Sequence, residues 1–289
     1  MDSWRKPVSK ISVLVHDFDN FRFPGVFGIS RSKYLLHDLA HLLRKRGHHV
    51  SVCKGISKLR PADMVIAHVD CTRVPDGFVE AVKNYPVVIN GNVTDINKRS
   101  FSKLIVDSTS DWSGPVMVKS ALNYSGYPEV WHNEKARKLG KPLPHPEILP
   151  TENYSQFDSI DDVPVENWKD ENLIIEKFLP ERVDGGYATR YYVFCGKYER
   201  CTLHISSKSV VKGKDIYKSE PVAVPEEIRR IRHEMGFDYG KFDFIMHEGK
   251  PYLLDANKTL GKAERNKHLG PMIDTQNAAM VEAIEEMLL

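Results

Sequence analysis

Lys241-Phe-Asp243-Phe-Ile-Met-His-Glu-Gly249-Lys-Pro-Tyr252-Leu-Leu-Asp255-Ala-Asn257-Lys-Thr-Leu-Gly261 is the stretch that decides how this chain is read. Two apolar runs, Phe242–Met246 and Tyr252–Leu254, flank a turn-forming His-Glu-Gly-Lys, the pattern of a β-hairpin. Side chains alternate faces along a strand, so Asp255 and Asn257 share one face. A turn near Gly249 brings Asp243 alongside them. Three hard oxygen donors then gather, a set that suits magnesium, which takes oxygen ligands, keeps some waters and accepts the rest from phosphates. Two carboxylates and one amide neutralise one divalent ion. Two solvent-facing acids and a turn asparagine would use the same residues, and the stretch alone leaves both readings standing.

Upstream, Pro115-Val-Met-Val-Lys119 reads as a strand ending in a lysine. Burying that lysine is costly unless an anion meets it, although it can also reach back to water. A helix opens at Asn97-Lys98. From residue 172 the pattern is mainly β: Leu173–Phe178, Thr189–Phe194 and Tyr198–Ile205, then a helix over Pro225–Met235 and a last one over Thr275–Leu288. The stretch 130–171, rich in proline, lysine and asparagine, reads as an irregular insertion.

The first 92 residues alternate strand and helix. The strands are Ile11–Val15, His49–Cys53, Asp63–Ala67 and Pro86–Ile89. An amphipathic helix carries Tyr34, Leu35, Leu39, Leu42 and Leu43, with Ser30 or Ser32 as its cap and Gly47 at its end; a shorter helix spans Asp76–Asn84. This alternation predicts a small, open, mostly parallel sheet. The glycine-bearing loop Phe23–Ser30 lacks dinucleotide-fingerprint spacing and is expected at the carboxyl edge of that sheet.

Composition narrows the function classes. The chain has 289 residues, 41% hydrophobic and 28% charged, enough to bury a core without staples. A formal net charge of +2 argues against a nucleic-acid partner. Cys53, Cys71, Cys195 and Cys201 show neither metal nor disulfide spacing, as expected of a reduced, cytoplasmic protein. No signal-peptide pattern or membrane-spanning run is evident.

The hairpin resembles the metal-binding segment of the ATP-grasp superfamily, in which an aspartate, an acid about twelve residues on and an asparagine two further hold magnesium against ATP. Asp243, Asp255 and Asn257 reproduce that order; Asp255 stands where glutamate is more frequent, leaving one or two ions, with manganese as a substitute. The resemblance extends upstream. It implies that Lys98 and Lys119 approach the phosphates and that Glu176, Lys177, Phe178 and Leu179 form the adenine-reading strand, with the backbone of Lys177 and Leu179 pairing to the base. It places Arg190 toward the terminal phosphate. Ala188 occupies the usual position of the ribose acid, so Asp184 or Glu181 would have to serve.

The implied architecture is α/β with an α+β grasp: an open N-terminal domain (1–92), then a two-subdomain ATP-grasp domain (93–289). The latter divides into a lysine-strand part (93–176, with the insertion 130–171) and a metal-binding part (177–289). The implied activity is a magnesium-dependent ligase that activates a carboxylate as an acylphosphate for attack by an amine, with Arg190 and Lys119 in catalytic roles. Its substrate would be a small molecule or peptide, with neither nucleic acid nor membrane as partner and homodimerisation left open. A hydroxyl-directed kinase of the same fold and a nucleotide binder without turnover are the alternatives. Arg22, Arg31, Lys33, Lys258 and Lys262 are candidates for holding an anionic substrate group, and Lys208, Lys212 and Lys214 for a second phosphate clamp.

Overall fold

The computed structural model describes residues 8–21, 33–151, 154–263 and 269–289. The loop Phe23–Ser30, the candidate cap Ser32 and the substrate candidates Arg22 and Arg31 lie outside them.

Four apolar strands build the first sheet: β1 (Lys10–Val15), β2 (His49–Lys54), β3 (Met64–Ala67) and β4 (Val87–Ile89), all parallel in the order β2-β1-β3-β4. Every residue of β1 after Lys10 is buried, as expected where both faces of a parallel sheet are covered. Helix α1 (Leu35–Lys45) lays Leu35, Leu36, Leu39, Ala40 and Leu43 against it. Gly47, at φ 102°, turns the chain out of that helix into β2. Helix α2 (Phe78–Val82) covers the other face.

The rest of the chain forms two antiparallel sheets. After the short helix α3 (Lys98–Phe101) come β5 (Val116–Ser120), helix α4 (Tyr127–Lys138), β6 (Ser155–Phe157), helix α5 (Val165–Lys169) and β7 (Leu173–Lys177). Strands β6-β5-β7 make a three-stranded sheet. Next are β8 (Glu181–Val183), β9 (Gly186–Cys195), β10 (Tyr198–Ser206), β11 (Ile216–Val222), helix α6 (Glu226–Glu234), β12 (Tyr239–His247) and β13 (Lys250–Asn257). They form the order β11-β10-β9-β12-β13, with β8 on β9. Its core packs Phe194 and Phe237 edge-on to Phe242 at 5.1 and 5.0 Å. Glu248 and Gly249, at φ 49° and 76°, close the β12–β13 hairpin, the paired left-handed geometry that matches strand twist.

The last helix, α7 (Gly270–Glu286), packs on α1 rather than on its own sheet alone. Met280, Val281, Ala283 and Ile284 enter the core of the first sheet, and Glu285 accepts from Arg46 (3.0 Å) and lies 3.3 Å from His48. Asn90 adds a polar stitch, its Oδ1 accepting from the amides of Asp238 and Tyr239 at 3.0 Å. Residues from both sides of position 92 thus contribute to one hydrophobic cluster.

The stretch 130–171, expected to be irregular, is corrected. It holds most of α4, a strand paired to β5, and α5. Helix α4 escapes periodicity because the face it buries is polar: Glu129, His132 and Asn133 lie beside Pro128 and Ala136.

That face brings His132 against His16, just after β1, with His145 beyond. The rings of His16 and His132 stack at 4.0 Å with planes 7° apart, and His132 Nδ1 lies 3.0 Å from His145 Nε2. Donor atoms of all three lie within 4.8 Å of one another. Lone pairs lie in the ring planes, so two nearly parallel stacked rings do not aim at one point, and the trio reads as stacked imidazoles rather than a metal site.

Burial holds His16 down to about 4, His132 to about 2 and His145 to about 4, so the folded trio is neutral. The unfolded chain takes up these protons below about 6.5. Stability is therefore lost as pH falls from there toward the folded values. Buried acids such as Asp19, raised to about 6, act in the opposite sense, so the measurable quantity is a difference between variants. Between pH 6.5 and 4, urea unfolding of the wild type should lose stability faster than His132→Gln, by roughly 1.4 kcal/mol per pH unit. Parallel pH profiles would refute the assignment.

Candidate nucleotide site

A cleft opens between the three-stranded sheet and the larger antiparallel one. It is lined by Lys98, Lys119, Glu176–Leu179, Asp243 and Asp255 among others. Lys119 stands near the end of β5 and Glu176 on the adjacent β7, diagonally related because Lys119 pairs with Ile174 and Met117 with Glu176. Lys119 Nζ lies 2.7 Å from Glu176 Oε2, with 7% and 4% of the two side chains exposed. Lys119 also donates to the Leu254 carbonyl at 3.2 Å, tying the two sheets together.

Hairpin register sets Asp243 directly across from Asp255. A second buried lysine, Lys98, enters from α3, whose first turn is capped by Asn97 Oδ1 accepting from Arg99 N–H at 2.9 Å. Its Nζ lies 3.0 Å from Asp255 Oδ1 and donates to the Leu122 carbonyl at 2.9 Å. Asp243 is met by Lys241 at 2.9 Å, and Lys241 Nζ sits 4.2 Å from the Tyr191 ring centroid. Burial raises Asp243 despite that lysine. Burial opposes the charge on Lys241, yet Asp243, Tyr191 and Asp255 together hold its pKa above the ordinary lysine value.

Three cations and three carboxylates thus neutralise one another in one cleft. Buried ions survive only when paired, and pairs can exchange partners for a ligand carrying both kinds of charge. The two hairpin carboxylates fit a magnesium ion by donor type, since each keeps lone pairs beyond those its lysine uses. Glu176 fits a nucleobase: its Oε1 is buried without a hydrogen-bond partner, in reach of an amine donor in the cleft.

Other expected residues are placed differently. Asn257 lines an adjoining cavity, and its Oδ1 accepts from Thr259 N–H at 2.8 Å. Arg190 alternates to the face opposite Tyr191. Its guanidinium pairs with Glu181 and lies over the Phe244 ring, so it is not brought to the cleft. Glu181, the alternative ribose acid, is held by that pair and by Met246 N–H at 2.7 Å. Asp184 is exposed in the β8–β9 turn.

The Lys177 amide donates to the Leu104 carbonyl at 2.9 Å, so base pairing through that N–H is corrected: the protein already uses it. Lys208 pairs with Asp215 at 2.7 Å, while Ser209–Val211 of the same loop line the cleft. Lys262 is tied to Asp38, and Lys258 is fully buried.

Sequence reading assigns no role to Tyr191 and Tyr154, which line the cleft, or to Lys241, which pairs with Asp243 there. Lys241 carried a signal, standing two residues before Asp243 on the same strand face. Tyr191 carried none, because its position opposite Asp243 depends on pairing between β9 and β12.

The architecture is that of the ATP-grasp fold. The macrocyclase MdnC from Microcystis aeruginosa MRC, solved with its precursor peptide MdnA, aligns over 96% of this chain and 99% of its own at 11% identity, with a TM-score of 0.53. A RimK domain ATP-grasp protein from Sphaerobacter thermophilus aligns over 96% and 99% at 10% identity, with a TM-score of 0.50. No protein-family model and no curated protein matches the chain. No helix among the described residues is long and apolar enough to cross a membrane, and all four cysteines are buried and free.

Proposed function

We propose that the chain is an ATP- and magnesium-dependent ligase that activates a substrate carboxylate as an acylphosphate for attack by an amine. The observation that carries this reading is the meeting of Lys119–Glu176, Lys98–Asp255 and Lys241–Asp243 in one cleft of an ATP-grasp fold.

Asp243 and Asp255 would hold magnesium, with Asn257 beside them once its amide turns from Thr259. The ion supplies charge neutralisation at the phosphates. Lys119 and Lys98 exchange their carboxylate partners for phosphate oxygens, which offsets repulsion between the two reacting anions. Glu176 Oε1 accepts from the adenine amine, and the backbone around Leu179 presents the remaining edge. Tyr154 and Ser209–Val211 also line the cleft, where excluding water would protect an acylphosphate. No protein nucleophile is required. A peptide belongs among the candidate substrates, since MdnC was solved with one.

The test is ADP release in the presence of paired carboxylate and amine libraries, with hydroxylamine as a trap. Release should require both partners, and hydroxylamine should divert the intermediate to a hydroxamate. ATP turnover with neither partner would refute the ligase reading. So would a phosphorylated product inert to hydroxylamine, which would assign the fold to a hydroxyl-directed kinase.

A further inference from the structure

A cavity of about 630 Å³ adjoins the cleft at Asn257 and Thr259, the residues where β13 gives out. Its opposite wall belongs to the first sheet. Asp19 follows β1 and Asp70 follows β3, so both rise from the carboxyl edge of parallel strands, where ligand crevices form in open α/β sheets. Both are buried, at 2% and 6% exposure.

Tyr34 lies between them. Its hydroxyl donates to Asp70 Oδ2 at 2.7 Å and lies 3.4 Å from Asp19 Oδ2. Thr259 Oγ1 donates to Asp70 Oδ1 at 2.6 Å and lies 3.4 Å from Asn257 Oδ1, which links the acid pair to the proposed nucleotide site. Lys54 and Lys135 reach the same corner and bond the backbone carbonyl of Asp19, at 2.7 and 3.0 Å. Burial and then the Asp70 charge push the Asp19 carboxyl up to about 6, and burial raises Asp70 as well. Lys54 offsets part of the Asp19 charge and the buried Lys258 part of that on Asp70, yet both carboxyls stay raised, so the pair can take a further cation or a proton.

A separate observation indicates which. Asn123 lines the same cavity, is 2% exposed, and has a buried Oδ1 with no hydrogen-bond partner. An orphaned acceptor in a cavity also lined by two carboxylates suits a multiple donor, and a primary ammonium carries three N–H groups. The wall also carries the aromatic rings of Phe18, Tyr124 and Trp131, beside Lys33 and His132. Its Trp131 face already meets one ammonium, Lys33 Nζ, 5.3 Å from the ring centroid.

We propose that this cavity binds a primary ammonium group borne on an apolar or aromatic body. Asp19, Asp70 and the Asn123 amide oxygen accept from its three donors, and the aromatic wall covers the body. Naming this amine as the acceptor of the ligation, which it would become on giving one proton to the Asp19 or Asp70 carboxylate and attacking as the free amine, rests on the function proposed above, whereas its binding does not.

The test is calorimetric titration of the full chain, without nucleotide, with 2-phenylethylammonium chloride and with its neutral isostere 2-phenylethanol. The amine should bind saturably and the alcohol roughly 10- to 100-fold more weakly, the range expected for hydrogen bonds to charged groups. Asp19→Asn should weaken the amine by about tenfold or more, and Asn123→Leu should do so independently. Thermal midpoints establish that each variant is folded.

Equal binding of amine and alcohol, no saturable heat with the amine, or unchanged affinity in both folded variants would overturn the proposal. Magnesium-nucleotide binding is measured on the same samples. If the nucleotide binds and the amine does not, the ammonium site falls while the nucleotide reading stands; amine binding without ADP release separates them in the other direction.

Discussion

Asp255→Asn should reduce magnesium-dependent ADP release on the order of 100-fold or more while the protein stays folded. The substitution keeps the side chain's shape and removes only the charge. Asp255 sits on β13 opposite Asp243, beside a bulge and with a third of its side chain exposed, so little packing is lost. Lys98 gives up a charge partner but keeps the Leu122 carbonyl. What disappears is the carboxylate that would face both the metal and the phosphates.

Asp255→Glu supplies the control. It restores the charge one methylene further out, which the open side of the site can accommodate. Activity within about tenfold of wild type is expected, since volume and charge are nearly conserved. Equal loss in both variants, with unchanged thermal midpoints, would mean that strand geometry rather than the carboxylate matters. No loss in either would remove Asp255 from the mechanism.

Lys119→Met should destabilise the protein by about 3–5 kcal/mol, the cost of leaving one member of a buried ion pair alone. Both partners are nearly inaccessible, so solvent cannot take over the released charge on Glu176. Adding Glu176→Gln to Lys119→Met removes that stranded charge and should recover most of the stability, to within about 1 kcal/mol of wild type. Nucleotide affinity should remain lost in the double variant.

This separation distinguishes a lysine held for structure from one held for a ligand. Urea unfolding reads the first effect and nucleotide titration the second. A single variant costing less than about 1 kcal/mol would show that the pair is better solvated than its burial indicates. A double variant that still binds nucleotide would relieve both residues of the roles assigned to them.

The parts of the fold legible in the sequence were those governed by local rules. Apolar runs marked β1, β3, β12 and β13, and the Glu248-Gly249 turn set the hairpin pairing as far as Phe244 with Leu253. Continued unbroken, that register would put Asp243 opposite Leu254; a bulge beside Asp243 shifts it by one and brings Asp255 across, which the turn alone does not announce. Lys98, Lys119 and Glu176 were legible only through the order of motifs along the chain, since a strand-end lysine alone is ambiguous.

Residues whose environment depends on distant pairing were not legible. Arg190 lies one position from Tyr191, and strand alternation sends one to Glu181 and the other to the cleft. Knowing which goes where requires the pairing of β9 with β12. Helix α4 was missed because it buries histidine, asparagine and glutamate, which no hydrophobic periodicity can signal. The acid pair Asp19–Asp70 is separated by α1, β2 and β3 and is joined only when the parallel sheet closes.

The most direct measurement is a calorimetric titration of a non-hydrolysable ATP analogue into the purified chain, with magnesium and again with chelator. The account predicts saturable one-to-one binding that weakens sharply when magnesium is withheld and is absent in the Lys119→Met/Glu176→Gln variant. Absence of binding heat from the folded wild-type protein in either condition, or binding indifferent to both magnesium and Lys119, would contradict it.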